Sequence, residues 1–144
     1  MSEAGWSLHP QLNADTVPVG DLALSRLLVM NDADFPWLIL VPRRVEASEL
    51  TDLGLEQAAL IGEISRVSLA LKAETGCDRL NVAAIGNVVP QLHIHIVARR
   101  KDDPLWPKPV WGATAGRARD QGEMARFVDA IRRRLGLPAW LRVP

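Results

Sequence analysis

The chain predicts an α+β fold, an antiparallel sheet packed with a main helix and a C-terminal helix. Three observations predict it. Apolar runs of strand length occupy 22–30, 37–41, 80–85 and 91–98; helical periodicity is confined to 55–73 and 120–135; and the two kinds of element are segregated rather than strictly alternating. With 144 residues, 48% of them hydrophobic, one sizeable core is expected and therefore a single domain, 1–144.

The first twenty residues include Pro10, Pro18 and Gly20 and read as an irregular lead-in anchored by Trp6, Leu8 and Leu12, with regular structure beginning near Asp21. The run 22–30 stops at Asn31, Asp32 and Asp34, and the run 37–41 is closed by Pro42, so the two read as strands joined by a polar turn. Ser48 can cap a short helical turn. Leu60, Ile64, Val67 and Leu71 recur at helical spacing before Gly76, which defines the main helix. Two further strands, 80–85 and 91–98, are separated by Gly86, Asn87 and Pro90, a link short enough for a hairpin. After Arg99 the chain is rich in Pro (104, 107, 109) and Trp (106, 111), which disfavours regular structure. Asp120 with Glu123 resembles a capping box, and Met124, Phe127, Val128, Ile131 and Leu135 form the stripe of a helix ending at Gly136.

Composition narrows the function classes. Seventeen basic residues balance seventeen acidic ones, so no net field favours nucleic acid or a membrane surface, and any bound anion needs a local site. A single cysteine, Cys77, excludes an intrachain disulfide and fits a reducing compartment. No apolar run approaches a membrane span, and a soluble cytoplasmic protein is expected.

The most informative run is Gln91-Leu92-His93-Ile94-His95. In a strand, Gln91, His93 and His95 share one face and Leu92, Ile94 and Ile96 the other, with roughly 7 Å between successive residues on a face. Three readings follow. A neutral imidazole is a nucleophile towards phosphorus or acyl carbon when its other nitrogen is held as a donor; His93 then attacks, His95 supports it, and the Gln91 amide donates to an anionic oxygen. Alternate histidines also suit a metal, but zinc wants three or four ligands, and only His9, Cys77 and scattered carboxylates remain. No metal or other cofactor is expected. The plain alternative is a half-buried strand whose histidines make structural hydrogen bonds.

The segment 91–97 resembles the histidine-triad motif, His-φ-His-φ-His-φ-φ with φ apolar, and Gln91 stands where the first histidine normally stands. The order of elements over roughly residues 22–100 agrees, and Trp106-Pro107-Lys108-Pro109-Val110-Trp111-Gly112 looks like a bacterial branch of that superfamily. The resemblance implies nucleotide binding and a covalent nucleotidyl intermediate on the middle histidine, here His93, with His95 shaping the hydrogen bonds. It implies phosphate contacts from Gly86 and Asn87, although Val88 departs from the usual Ser or Thr. Asn31 or Asp32 is placed to meet the ribose or simply to close its own turn. Arg99, with Arg100 and Lys101, is placed either to face a polyphosphate or to form a solvated charge run, and Trp106 or Trp111 either covers a substrate in the partner's site or caps its own core.

The resemblance also implies a homodimer. The expected function is a hydrolase or nucleotidyltransferase acting on nucleoside phosphoramidates or dinucleoside polyphosphates. Because glutamine cannot titrate, the alternative is a nucleotide-binding or sensing protein with little or no turnover.

Overall fold

The computed structural model describes residues 3–140, so both ends of the expected 1–144 domain, residues 1–2 and 141–144, lie outside the described residues. Five strands form one antiparallel sheet in the order β1-β2-β3-β5-β4: β1 Thr16–Asp21, β2 Ser25–Met30, β3 Trp37–Pro42, β4 Arg79–Ala83 and β5 Ile94–Arg99. Three helices accompany it: α1 Pro10–Asp15, α2 Gln57–Thr75 and α3 Gln121–Leu135. The α+β architecture expected from the segregated elements is the one observed.

The lead-in is more ordered than its prolines suggested. Pro10 opens α1, where its missing N–H is no loss, and His9 caps that helix by accepting the Gln11 N–H on Nδ1. Pro18 lies in β1, an edge strand, and the register shifts between Pro18 and Gly20. An edge position and a bulge are the two places where a strand tolerates proline.

The main helix begins two residues later than its apolar pattern implied, because Leu50–Glu56 forms a 3-10 segment kinked at Gly54 (φ 56°). Ser48 does not cap that segment; Glu49 holds the cap position, and the Ser48 hydroxyl donates to Asp52. Gly76 at φ 62° and Gly136 at φ 66° end α2 and α3 in the left-handed conformation that residues with a Cβ avoid. Asp120 caps α3 through the Glu123 N–H.

The period-2 alternation of the strands divides the core. Leu27, Val29, Leu38, Leu40, Ile94 and Ile96 point to one face, where Leu60, Val67 and Leu71 of α2 and Met124, Val128 and Ile131 of α3 cover them. Leu28, Trp37, Ile39, Val41 and Val97 point to the other. Among the described residues no long helix lies there. Leu12 of α1, with Trp6 and Leu8 from the preceding segment, and Val110, Leu105 and Trp111 from the Pro/Trp segment cover that face instead.

Candidate active site

The site lies on this second face, where β3 and β5 pair and Ile39 sits opposite His95. The expected row of three polar side chains is a pair. β5 starts at Ile94, and the Leu92 N–H leaves the ladder to donate to Ala47. The His93 and His95 rings meet edge to face at 4.8 Å between centroids, and both residues are only 6% exposed.

Gln91 corrects the expectation of a phosphate-facing amide. Its Nε2 donates to the Ser7 carbonyl at 2.9 Å, and its Oε1 accepts the His9 N–H at 2.9 Å. Both ends of the amide thus grip the N-terminal segment. Local sequence does not announce this, since the two partners lie more than eighty residues away.

Hydrogen bonding fixes both tautomers. His93 Nδ1 lies 2.7 Å from the Gln91 carbonyl, an acceptor only, so Nδ1 carries the proton and Nε2 keeps its lone pair. His95 is set the opposite way. Trp37 Nε1, which can only donate, lies 3.0 Å from His95 Nδ1, so a neutral His95 carries its proton on Nε2. Burial, and secondarily the neighbouring His93, push the His95 pKa down to about 4, which keeps it neutral near pH 7. The site therefore pairs a free imidazole lone pair with an imidazole N–H donor.

Trp37 was not singled out as a site residue by the sequence; its position opening the strand that ends at Pro42 was the available signal. Trp111 stacks edge-on against His95 at 5.5 Å and Trp37 at 6.2 Å, within its own chain, and its buried Nε1 has no hydrogen-bond partner among the described residues.

The remaining expected residues divide. Gly86 (φ 70°) lines a cavity of about 10 Å³ with His93, and its backbone conformation also accounts for glycine at that turn. Asn87 is exposed in the same loop. Asn31 is exposed, its Oδ1 accepts the Arg119 N–H, and the residue lines a cavity of about 360 Å³ together with Trp37. Asp32 is buried, with one oxygen on the Asp34 N–H and the other accepting from Thr114 Oγ1 at 2.5 Å, so it organises the turn.

Arg99 corrects its expectation outright. It is 1% exposed, pairs bidentately with Asp103 at 2.7 and 3.0 Å, donates to Asn81, and lies over the rings of Phe35 and Trp106. The guanidinium holds the Asp103 carboxyl below its ordinary range. A fork engaged in this way braces the loop after β5 and faces no polyphosphate. Arg100 donates to the Thr75 carbonyl at the end of α2. Among the described residues, no group of three His, Cys, Asp or Glu side chains is arranged to hold a metal ion, and no helix is long and apolar enough to cross a membrane.

An antiparallel sheet presenting two histidines beside a glycine turn is similar to the histidine-triad fold. The HIT domain matches residues 11–102 of this chain. A histidine triad protein from Bradyrhizobium japonicum is 56% identical, with 90% of this chain and 98% of that one covered and a TM-score of 0.88. Histidine triad proteins from Sinorhizobium meliloti (40% identity, 93% and 100% covered, TM-score 0.89) and Marinobacter aquaeolei (39%, 91% and 96%, 0.88) are similar throughout. No match was found among curated proteins. The chain belongs to the histidine-triad family, whose fold generally binds nucleotides and serves hydrolases and transferases.

Proposed function

We propose that this protein binds a nucleotide across the histidine face and moves its monophosphate through a covalent intermediate on His93, as a hydrolase or nucleotidyltransferase. The observation that carries the reading is the 2.7 Å contact between His93 Nδ1 and the Gln91 carbonyl, which leaves Nε2 as the nucleophile. Nε2 attacks the α-phosphorus, the bond to the leaving group breaks, and the leaving atom takes a proton from solvent. Water then attacks phosphorus, the P–Nε2 bond breaks, and the monophosphate departs with His93 restored. His95 Nε2–H donates to a phosphate oxygen as charge builds there. Gly86 and Asn87 flank the phosphate, Asn31 meets the ribose, and Trp111 walls the site. Nucleoside phosphoramidates and dinucleoside polyphosphates are the substrate classes.

A single-turnover reaction with labelled adenosine phosphoramidate tests this. The expected result is an acid-labile nucleotidyl adduct in the wild type that is absent in His93→Ala. Tight nucleotide binding with neither adduct nor monophosphate overturns it in favour of a second reading, a binding or sensing protein without turnover. What favours that second reading is Gln91, which cannot titrate and whose amide is taken up by Ser7 and His9.

The proposal includes a homodimer. β4 is an edge strand with Val82 exposed, and α2 exposes Ile61 and Leu69. An unpaired edge beside apolar side chains suits pairing with a second copy. Sedimentation of Val82→Asp/Leu69→Asp checks it, with a monomer expected. The cytoplasm completes the reading, as a compartment where the buried free thiol of Cys77 stays reduced.

A further inference from the structure

The segment that follows α3 crosses the sheet edge at β1. α3 itself lies on the helix-covered face, where Arg132 Nε donates to the Val19 carbonyl at 3.1 Å and Leu137 packs against the same core. Gly20, which pairs with Leu27, marks the crossing: a Cβ there would lie 3.2 Å from Leu137 Cδ1, tighter than an ordinary contact. Further on, the ring centroid of Trp140 lies 4.7 Å from the guanidinium carbon of Arg26. Strand alternation puts Arg26 with Leu28, and its cross-strand partner is Val41, so it stands on the histidine face. Residues 137–140 therefore pass around the edge from one face to the other.

The same guanidinium carbon lies 5.0 Å from the ring centroid of Trp6. Asp21 completes its surroundings, accepting from Nε at 2.9 Å and from the terminal nitrogen at 3.2 Å. One cation is thus shared by an indole from before β1 and an indole from after α3, and each ring face attracts it. The N-terminal segment is also held at Glu3, which accepts from Arg43 Nε at 3.0 Å, and at Ser7 and His9 by the Gln91 side chain.

We propose that Arg26, Trp6 and Trp140 form a clasp by which the segment after α3 holds the N-terminal segment onto Gln91, and that Arg26 and Trp140 are thereby positioning residues for His93. The route is continuous. Trp6 adjoins Ser7, whose carbonyl accepts from Gln91 Nε2; the His9 N–H donates to Gln91 Oε1; and the Gln91 carbonyl accepts from His93 Nδ1 at 2.7 Å. A guanidinium fixed by a carboxylate and two rings has little freedom, and removing one ring restores part of it to the other. Without Trp140, Trp6 and the residues up to His9 lift more often, and the Gln91 carbonyl holds the His93 proton less firmly. The segment after α3 in this way sets how readily the cover of the histidine face opens. The clasp involves no substrate and stands apart from the nucleotide reading.

NMR on the full chain tests the clasp through two readouts, hydrogen exchange of the His9 amide and the side-chain nitrogen shifts of His93 in the folded state. Trp140→Ala is expected to speed His9 exchange by about threefold or more, the effect of losing one cation–π contact. It should also move His93 from a single Nδ1–H tautomer towards a mixture. Arg26→Gln is expected to do the same, and Arg26→Lys, which keeps a cation beside Asp21, to restore part of the protection. Adding Trp140→Ala to Arg26→Gln should change nothing more, because the two residues act through one contact. Unchanged His9 exchange in Trp140→Ala overturns the clasp, as do Trp140→Ala and Arg26→Gln effects that simply multiply. Faster His9 exchange with unchanged His93 shifts overturns the positioning of His93. A lower urea midpoint with both readouts unchanged is the result of a merely structural contact and overturns the proposal as a whole.

Discussion

On one face of the sheet, α2 and α3 seal Leu27, Leu38, Leu40, Ile94 and Ile96; on the other, irregular segments lie over Leu28, Trp37, Ile39 and Val97, with both histidines among them. Adjacent residues of the same strands supply the two faces, so backbone geometry does not distinguish them. The cover does. A helix satisfies its own backbone groups and adds only apolar side chains, whereas a segment without that ladder must find partners along the way. Gln91 serves two such backbone groups, and Asp32, Asn31 and Arg119 bind the loops around them. Among the described residues, buried polar atoms without hydrogen-bond partners occur on both faces: Ser25 Oγ and Glu63 Oε1 under the helices, the indole N–H groups of Trp6 and Trp111 on the other. Only the second face combines them with two imidazoles and adjoining cavities.

The contrast can be broken most severely at His93. His93→Ala is expected to lower the single-turnover rate with adenosine phosphoramidate by at least about a thousandfold, far beyond the loss of stability of about 1–3 kcal/mol expected from truncating a buried, hydrogen-bonded ring. On the helix face the same kind of truncation acts on stability alone. Ile96→Ala, at a fully buried position, is expected to cost about 2–5 kcal/mol in urea unfolding. An adduct-forming rate reduced as strongly in Ile96→Ala as in His93→Ala would erase the distinction.

Acid sharpens it next. The His95 pKa lies near 4 when folded against an ordinary 6.5, so as pH falls below about 6.5 the unfolded chain takes the proton first. The stability associated with a neutral His95 is complete above that pH. It declines by about 3 kcal/mol between pH 6.5 and 4 and levels off below. Urea unfolding of His95→Asn should lose this component of the pH dependence.

Gln91→Ala removes two hydrogen bonds from the irregular cover, an expected cost of about 1–3 kcal/mol. It should also speed diethyl pyrocarbonate modification of His93, and an unchanged rate would show that the N-terminal segment does not shield the ring. The smallest effect is expected at Trp37→Phe, about 1 kcal/mol for one lost bond. There, nitrogen NMR shifts of His95 should report a mixture of tautomers in place of one.

Much of the helix-covered face was legible beforehand. Leu60, Val67 and Leu71 carry a 3.6-residue period, and Asp120, Gly76 and Gly136 mark helix ends by local rules. The histidine pair was legible for the same reason, because strand alternation alone puts His93 and His95 on one side. What escaped was set at long range. β1 was hidden because Pro18 speaks against a strand unless the strand is known to be an edge. The run from Gln91 reads as unbroken strand because its alternation continues through residues whose hydrogen bonds go to Ser7, His9 and Ala47. Arg99 directly follows the histidine strand, which suggests either a phosphate contact or a solvated charge, and Asp103 with Phe35 and Trp106 is what draws it inside instead.

The amino-acid order by itself determined the elements whose pattern is local: the strand alternation, the stripe of each long helix, and the presence of two imidazoles on one side of one strand. Tertiary structure decided what those imidazoles are. A carbonyl two residues back leaves the His93 Nε2 lone pair free, and an indole fifty-eight residues away leaves His95 its Nε2 proton. Gln91 became the latch of the N-terminal segment in the same way. Which groups meet across a sheet depends on how the chain closes over it, and hydrogen-bond roles follow from those meetings rather than from residue type.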